Sequence, residues 1–200
     1  SPVASVNPIQ HIQIGTIGIP MPSTLCKVIN DAGEELPLGE IGELCIKGPQ
    51  VMKGYWERPD ATAEIMDSEG WLKSGDIALI QPDGYMRIVD RKKDMILVSG
   101  FNVYPNELED VMASLPEVLQ SAAIGIPDEK TGELIKVFIV VKPGMTLSKE
   151  QVMAHMRANL TAYKAPKVVE FRDSLPTTNV GKILRRELRD EEMKKLGLKK

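Results

Sequence analysis

Short apolar runs separated by turn-forming residues dominate the first ninety residues of the chain. Runs of the kind that form β-strands lie at residues 24–29, 42–47, 77–80 and 85–89. The sequence Pro-Asp-Gly at residues 82–84 separates the last two runs. Because Pro fixes φ and Gly accepts a positive φ, this sequence predicts a hairpin. One short helix is predicted at residues 60–66, so this part of the chain is expected to be rich in β-structure.

Helical periodicity appears after residue 91. Pro105 suits the first turn of an amphipathic helix, whose apolar face is formed by Leu108, Val111, Met112 and Leu115. The sequence Ser-Lys-Glu-Gln at residues 148–151 predicts a capping box at the start of a second helix. A last helix is predicted at residues 183–196, and strands are predicted at residues 122–126, 135–141 and 168–171.

These elements predict an α+β fold in two parts. A short apolar strand is also predicted just before Gly100. After residue 91 the order is therefore strand–helix–strand–strand–helix–strand–helix, which is enough for a small α+β domain with its own core. We place the boundary between Asp90 and Arg91, where a charged and solvated joint is expected. The two predicted domains are residues 1–90 and residues 91–200.

Composition and charge exclude several classes of protein. The net charge of −3 does not favour nucleic acid as a partner, although residues 182–200 carry eight Lys and Arg against four Asp and Glu. Such a basic helix is typical of a solvated face, with attraction of phosphate as the alternative. Cys26 and Cys45 are expected to be buried free thiols, and His11 and His155 have no partners at metal-ligand spacing, so no metal site is predicted.

The sequence also bears on location. No apolar run approaches the roughly 20 residues that span a bilayer, and no signal peptide opens the chain. We therefore expect a cytoplasmic protein. Peripheral association with the inner membrane is the alternative.

Three motifs contain residues that could carry chemistry: Gly-Trp-Leu-Lys-Ser-Gly-Asp at residues 70–76, the charged run and helix start at residues 89–109, and residues 176–188 around Asn-Val-Gly-Lys. Asp76 follows a tight turn, and its carboxylate could accept both hydroxyls of a ribose; an Asp that satisfies a turn is the alternative. Arg91 could reach ribose or phosphate oxygens, or pair with a neighbouring Asp. Lys182 could be delivered by its flexible turn to a site formed elsewhere, whereas a lone lysine is usually a surface residue.

Together the three motifs resemble the later motifs of the adenylate-forming superfamily, which includes acyl-CoA synthetases, adenylation domains and luciferases. The residues of these motifs are most similar to those of bacterial long-chain fatty acid–CoA ligases. The resemblance implies that Asp76 and Arg91 bind the ribose of ATP and that Lys93 lies near the nucleotide phosphates. It also implies that Asp90 is the hinge between two domains. A solvated charge run is the alternative for residues 92–94.

The same resemblance assigns roles in the second part of the chain. Lys182 matches the adenylation lysine, and the turn at Ser99 and Gly100 matches a segment that approaches the pantetheine arm of CoA. Aryl-CoA ligases and luciferases commonly carry lysines where this chain has Leu97 and Ser99. That departure favours the fatty-acyl branch of the superfamily.

The resemblance implies that residues 1–90 are the β-rich tail of a large N-terminal AMP-binding domain and that residues 91–200 are the C-terminal lid domain. The family's phosphate loop and adenine segment do not occur in the chain, so the Mg²⁺ site is expected in a preceding part. The chain is accordingly expected to be an inactive fragment. The implied substrates are fatty acid, ATP and CoA, and a homodimer of the full enzyme is left open.

Two alternatives compete with a fatty acid–CoA ligase. The chain could act as a non-catalytic interaction or regulatory module whose basic helix binds acidic lipid head groups or a partner. It could also belong to an acyl- or aryl-CoA ligase of a different substrate class. An adenylation domain that loads a carrier protein is disfavoured, because no carrier-like domain follows.

Overall fold

The computed structural model describes residues 2–198, and the chain has the α+β fold expected from its sequence. It divides into two units, Ser1–Lys93 and Asp94–Lys200. The division falls just after the predicted boundary at Asp90 and Arg91. Each unit has its own sheet and its own apolar core.

The first unit is built on an antiparallel sheet whose strands pair in sequence order. Its elements are β1 (Ser5–Val6), β2 (Ile19–Pro20), β3 (Leu25–Ile29), β4 (Ile41–Lys47), α1 (Pro59–Ile65), β5 (Leu72–Ile80) and β6 (Met86–Arg91). Strands β3 to β6 form the main sheet, whereas β1 and β2 form a separate pair that the sequence did not predict. The buried apolar residues of this sheet are Val28, Leu44, Ile46, Ala78 and Met86.

Local predictions in this unit agree with the structure. The hairpin between β5 and β6 turns through Gly84, which has a φ of +87° and donates its N–H to the carbonyl of Gln81. Helix α1 starts one residue earlier than predicted and buries no side chain. Strands β3, β4 and β6 and the turn before β6 were thus readable from local sequence, whereas β5 starts five residues before the predicted strand.

The two cysteines are free thiols. Cys45 is buried, as expected, but Cys26 is only partly buried. Burial raises the pKa of each thiol to about 11. Both are therefore protonated near neutral pH and are poor nucleophiles.

The second unit is organised around one long central strand. Its elements are β7 (Ile96–Val98), β8 (Phe101–Val103), α2 (Pro105–Ala113), β9 (Val118–Asp128), β10 (Gly132–Val141), α3 (Lys149–Asn159), β11 (Val168–Phe171) and α4 (Arg185–Lys195). Strand β10 pairs with β9 along one edge. Its other edge pairs with β11 in parallel and with β7 in antiparallel orientation.

Both faces of this sheet are buried. One face carries Val137 and Ile139 of β10 and packs with Leu108 and Met112 of α2 and with residues of α3. The other face carries Ala122, Ile124, Phe138 and Val140 and packs with Leu188 of α4. Burial on both faces explains why β9 and β10 are nearly continuous apolar runs rather than alternating ones.

The helices of the second unit confirm one prediction and correct another. The capping box at Ser148 and Gln151 is present at the start of α3. Helix α4 is shorter than predicted, and it is not simply a solvated basic face. Leu188 is fully buried, Glu192 is 5% exposed, and several of its basic residues are ion-paired. Within residues 2–198, no helix is long and apolar enough to cross a bilayer.

Candidate functional site

Asp76 lies in β5 at a distortion of the sheet. Glu43 of β4 pairs with Ile77, whereas Cys45 pairs with Lys73, so β5 holds extra residues at positions 74–76. Gly75 supports this bulge with a φ of +74°, and the Asp76 N–H donates to the Ser74 hydroxyl at 3.1 Å. The Ser74 side chain thus satisfies the Asp76 N–H at this bulge.

Arg91 lies directly opposite Asp76 on the neighbouring strand β6. The Arg91 Nε is 3.7 Å from the Asp76 Oδ1, and the two side chains are 59% and 36% exposed. Burial raises the pKa of Asp76, while the positive charges of Arg91 and Lys93 lower it in part. The structure therefore brings together the three residues predicted to bind nucleotide, with a carboxylate and a guanidinium side by side and open to solvent.

The charged run that follows is not uniformly solvated. Lys92 donates to the buried Glu43 at 2.9 Å and pairs with Asp31 at 3.2 Å. The hydrogen bond to Glu43 is the main reason that the pKa of Lys92 is raised. Lys93 is exposed, whereas Asp94 is 8% exposed and accepts a hydrogen bond from Arg189 at 2.7 Å. Of residues 92–94, only Lys93 is exposed as expected for a solvated charge run.

The residue predicted to be the hinge is buried. Asp90 is 1% exposed, and its carboxylate accepts the N–H of Arg91 at 2.7 Å. The expectation that the joint is solvated is therefore wrong for Asp90 itself, although Arg91 and Lys93 are exposed. The hinge role of Asp90 stays a prediction.

A cleft of about 550 Å³ opens beside the Asp76 bulge, entirely within the first unit. Ser74 and Gly75 contribute to its wall, together with Glu43, Met52, Tyr55, Glu64, Ile65, Leu72, Lys73 and Lys92. Sequence reasoning missed Glu43 and Lys92 as part of this surface. A glutamate inside the apolar run of β4 was the one available signal, because a buried charge requires a partner.

The turn predicted to approach CoA is the tip of a β-hairpin in the second unit. Strands β7 and β8 pair from Ile96 with Val103 to Val98 with Phe101, so Ser99 and Gly100 form a two-residue loop. Their φ values are +52° and +84°, which is the pattern of a type I′ turn. Both residues are exposed, and apart from Gly100 and its two chain neighbours no heavy atom of residues 2–198 lies within 4 Å of the position where Gly100 would carry a Cβ. The Gly100 position of the turn is thus not covered by other described parts of the chain.

Lys182 lies at the end of a second tight turn in the same unit. Gly181 has a φ of +79°, and its N–H donates to the carbonyl of Thr178 at 2.9 Å. The Lys182 N–H donates to the Thr178 hydroxyl at 3.1 Å, and the Thr178 N–H donates to the Lys182 carbonyl. The Lys182 side chain is exposed and has no ion pair within residues 2–198. The backbone is therefore held while the ammonium is left available.

The residues that follow this turn anchor it to the body of the second unit. Arg185, the first residue of α4, donates to Glu109 at 2.6 Å and to Asn106 at 2.7 Å. It also lies 3.6 Å from the Asp94 carboxylate. These contacts lie three residues from Lys182 in sequence and restrain the start of α4. They were not predicted, because their partners are distant in sequence.

The predicted residues fall into two groups that belong to different units. Asp76, Arg91 and Lys93 are neighbours in the first unit, whereas Ser99, Gly100 and Lys182 lie on two turns of the second. Within residues 2–198, no group of three or more His, Cys, Asp or Glu side chains could hold a metal ion. The nucleotide-binding role expected of the first group and the catalytic role expected of Lys182 stay predictions.

Two known families match parts of the chain. The AMP-binding enzyme family matches residues 1–56, and the AMP-binding enzyme C-terminal domain family matches residues 107–182. The chain therefore belongs to the AMP-binding, adenylate-forming superfamily.

Individual relatives are more specific. A long-chain-fatty-acid–CoA ligase of Yersinia pestis is 58% identical over 196 residues, which cover 97% of this chain and 34% of that protein. A feruloyl-CoA synthase of Amycolatopsis sp is 46% identical over 88% of this chain and 36% of its own length. The crystal structure of ATP-bound MatB from Rhodopseudomonas palustris matches with a TM-score of 0.86 at 37% identity, over 91% of this chain and 36% of that one. The chain spans about a third of the length of the curated relatives it matches.

Proposed function

We propose that this chain is the C-terminal part of an ATP-dependent, AMP-forming long-chain fatty acid–CoA ligase. The observation that carries the proposal is the state of Lys182, an exposed cation on a hydrogen-bonded turn in a chain that is 58% identical to such a ligase. Its neighbours Arg185 and Arg189 are both ion-paired, so the structure leaves Lys182 available while it uses the nearby cations for packing.

The proposed reaction has two half-reactions. In the first, a fatty acid carboxylate oxygen bonds to the α-phosphorus of ATP, and the bond to the leaving pyrophosphate breaks. In the second, the thiol sulfur of CoA bonds to the acyl carbon, the thiol proton is lost, and AMP leaves. Mg²⁺ would neutralise phosphate charge from a site outside this chain. By itself, the chain is proposed to be inactive.

The residues of this chain would bind and orient the reactants. The Asp76 carboxylate would accept hydrogen bonds from the ribose hydroxyls, and Arg91 beside it would donate to ribose or phosphate oxygens. The Lys182 ammonium would stabilise negative charge that is shared between the carboxylate and the α-phosphate. One such preorganised donor is worth about 10²–10³ in rate. The exposed turn of Ser99 and Gly100 would approach the pantetheine arm in the second half-reaction.

The proposal is tested by Lys182→Ala in the full-length enzyme. Pyrophosphate release should fall about 10²–10³-fold, because one preorganised cation is lost from the adenylation step. Thioester formation from supplied acyl-AMP should stay nearly intact. Arg186→Ala is the matched control, because the Arg186 side chain is 77% exposed and pairs only loosely with Asp190 at 3.7 Å. Equal losses in both half-reactions would show that Lys182 is structural.

A second substrate class is favoured by one observation, namely the 46% identity to a feruloyl-CoA synthase. Leu97 and Ser99 weigh against it, because aryl-CoA ligases commonly have lysines at the matching positions. The ratio of turnover with palmitate to turnover with ferulate decides between the two classes. The non-catalytic alternative is weakened by the ion pairs of α4, which leave fewer basic side chains for acidic lipids.

A further inference from the structure

The hairpin that carries Ser99 and Gly100 cannot hold its position alone. Strands β7 and β8 have three residues each, and an isolated hairpin of that size is at best marginally stable. Ser99 also adopts a positive φ, which is unfavourable for a residue with a side chain. The position of the tip therefore depends on what holds β7 from outside.

Strand β10 holds the hairpin, and it does so partly through a side chain. In the antiparallel pairing of β7 and β10, Gly132 lies opposite Val98. On one side of this pair, the Ser99 N–H donates to the Thr131 carbonyl at 2.7 Å. On the other side, the Leu97 N–H donates to the Glu133 carboxylate at 2.7 Å. Glu133 thus extends the ladder by one more bond.

A glycine in the neighbouring strand makes room for this carboxylate. A Cβ at Gly125 of β9 would lie 2.6 Å from the Glu133 Oε1 and 2.9 Å from the Ile96 Cγ2. Real Cβ contacts are not that short, so any side chain at this position would displace Glu133, Ile96 or both. Ile96 belongs to β7, so Gly125 and Glu133 both act on the strand that supports the hairpin tip.

The other anchor is prepared by the turn between β9 and β10. The Asp128 carboxylate accepts hydrogen bonds from the Lys130 N–H, the Thr131 N–H and the Thr131 hydroxyl. The hydrogen bond from the Thr131 side chain is the main reason that the pKa of Asp128 is lowered. The Thr131 Oγ1 also lies 2.7 Å from the Glu133 carbonyl oxygen, so its single O–H is shared between Asp128 and Glu133. Both contacts to the hairpin therefore come from one ordered segment.

From these contacts we propose that Glu133 is a positioning residue for thioester formation, and that it sets the place of the Ser99–Gly100 turn against the CoA thiol arm. The inference rests on the proposed function of that turn. Glu133 itself touches no reactant in this scheme. A displacement of about 1 Å between reacting groups can lower the rate about 10²-fold. The hydrogen bond from the Leu97 N–H to the Glu133 carboxylate, called the brace below, can therefore control the rate of thioester formation.

The test compares two variants in the full-length enzyme. Glu133→Leu removes the acceptor of the Leu97 N–H, whereas Glu133→Gln retains an amide oxygen that can still accept it. Glu133→Leu should lower kcat/KM for CoA about 10- to 100-fold in reactions that start from purified acyl-AMP. Pyrophosphate release in the adenylation step should change less than about twofold, and Glu133→Gln should recover most of the loss. Gly125→Ala should resemble Glu133→Leu.

A readout that does not depend on activity is amide hydrogen exchange in the 200-residue chain. Exchange at Leu97 should accelerate in Glu133→Leu and stay slow in Glu133→Gln, while the β9–β10 amides remain protected. Unchanged exchange at Leu97 would show that the brace does not exist. Equal losses in both half-reactions, or no loss in either, would overturn the positioning role. If the wild-type enzyme makes acyl-AMP but no acyl-CoA, the proposed function fails even where the exchange data show the brace.

Discussion

Lys136 offers the sharpest test of how the second unit is held together. It lies in β10 on the face that packs against α4, and its side chain is only 7% exposed. Its Nζ is 2.6 Å from a Glu170 oxygen of β11 and 2.7 Å from a Glu192 oxygen of α4. One buried cation therefore joins three elements, and Lys136→Met removes the charge while retaining much of the side-chain volume.

The size of the effect follows from what the variant leaves behind. Removing one partner of a buried ion pair costs about 3–5 kcal/mol, because the remaining charge is uncompensated. Glu170 keeps Arg172 at 2.8 Å, and Glu192 keeps Lys195 at 2.6 Å. These second cations reduce the penalty, so we expect a loss of about 2–3 kcal/mol in the free energy of unfolding. For a unit of about one hundred residues, this lowers Tm by about 8–12 °C.

Urea unfolding of the chain, followed through the NMR amide signals of β10, measures this loss in the second unit. Lys149→Met is the matched control, because Lys149 is exposed at the start of α3 and should change stability by less than about 0.5 kcal/mol. The double variant Lys136→Met with Glu192→Leu should recover part of the loss, because apolar replacement of a buried pair is often neutral or stabilising. Lys136 does not hold the three elements together if Lys136→Met lowers the free energy of unfolding no more than the control does. The same conclusion follows if the double variant is less stable than Lys136→Met.

Three further predictions concern acid stability, packing and the joint. Burial by itself raises the pKa of Glu170, but hydrogen bonds from Lys136 and Arg172 outweigh it and lower the pKa from 4.5 to about 2. The stabilisation by ionised Glu170 is therefore present above about pH 4.5 and should be lost as the pH falls toward 2. Amide exchange of β10 measured during an acid titration would show this loss. Leu188→Ala should lower the free energy of unfolding by about 3 kcal/mol, because Leu188 is fully buried between α4 and the sheet. A loss below about 1 kcal/mol in chemical unfolding would contradict that packing. Limited proteolysis should cut at the exposed Arg91 or Lys93 and release a stable C-terminal piece, and a released piece that is unfolded by circular dichroism would argue against the hinge at Asp90.

Much of the fold followed from local rules that act over a few residues. The Pro-Asp-Gly turn, the capping box at Ser148 and the apolar spacing on α2 were all predictable, because φ restrictions and helical periodicity do not depend on the rest of the chain. The turn at Ser99 and Gly100 was also visible, but the strand β8 that follows it was not predicted. The motifs that contain Asp76 and Lys182 were also visible in the sequence, because they are contiguous.

Helix α4 shows where such rules stop. Its basic residues predicted a solvated face, and the periodicity alone gave no reason to expect otherwise. Leu188 and Glu192 are buried because β9 and β10 present a second apolar face that must be covered. A strand that is apolar at every position indicates burial on both faces, but it does not indicate which helix covers which face.

The sequence by itself determined the positions of the main strands and helices and the motifs that mark the superfamily. Tertiary structure alone decided the partners of the charges: Lys92 with Glu43, Lys136 with Glu192, and Arg189 with Asp94, which are 49, 56 and 95 residues apart. The brace from Glu133 to Leu97 belongs to the same group, at a separation of 36 residues. Local sequence limits which backbone conformations a segment can adopt. A buried charge acquires its partner only when the folded sheet brings distant segments together and excludes the water that would otherwise solvate it.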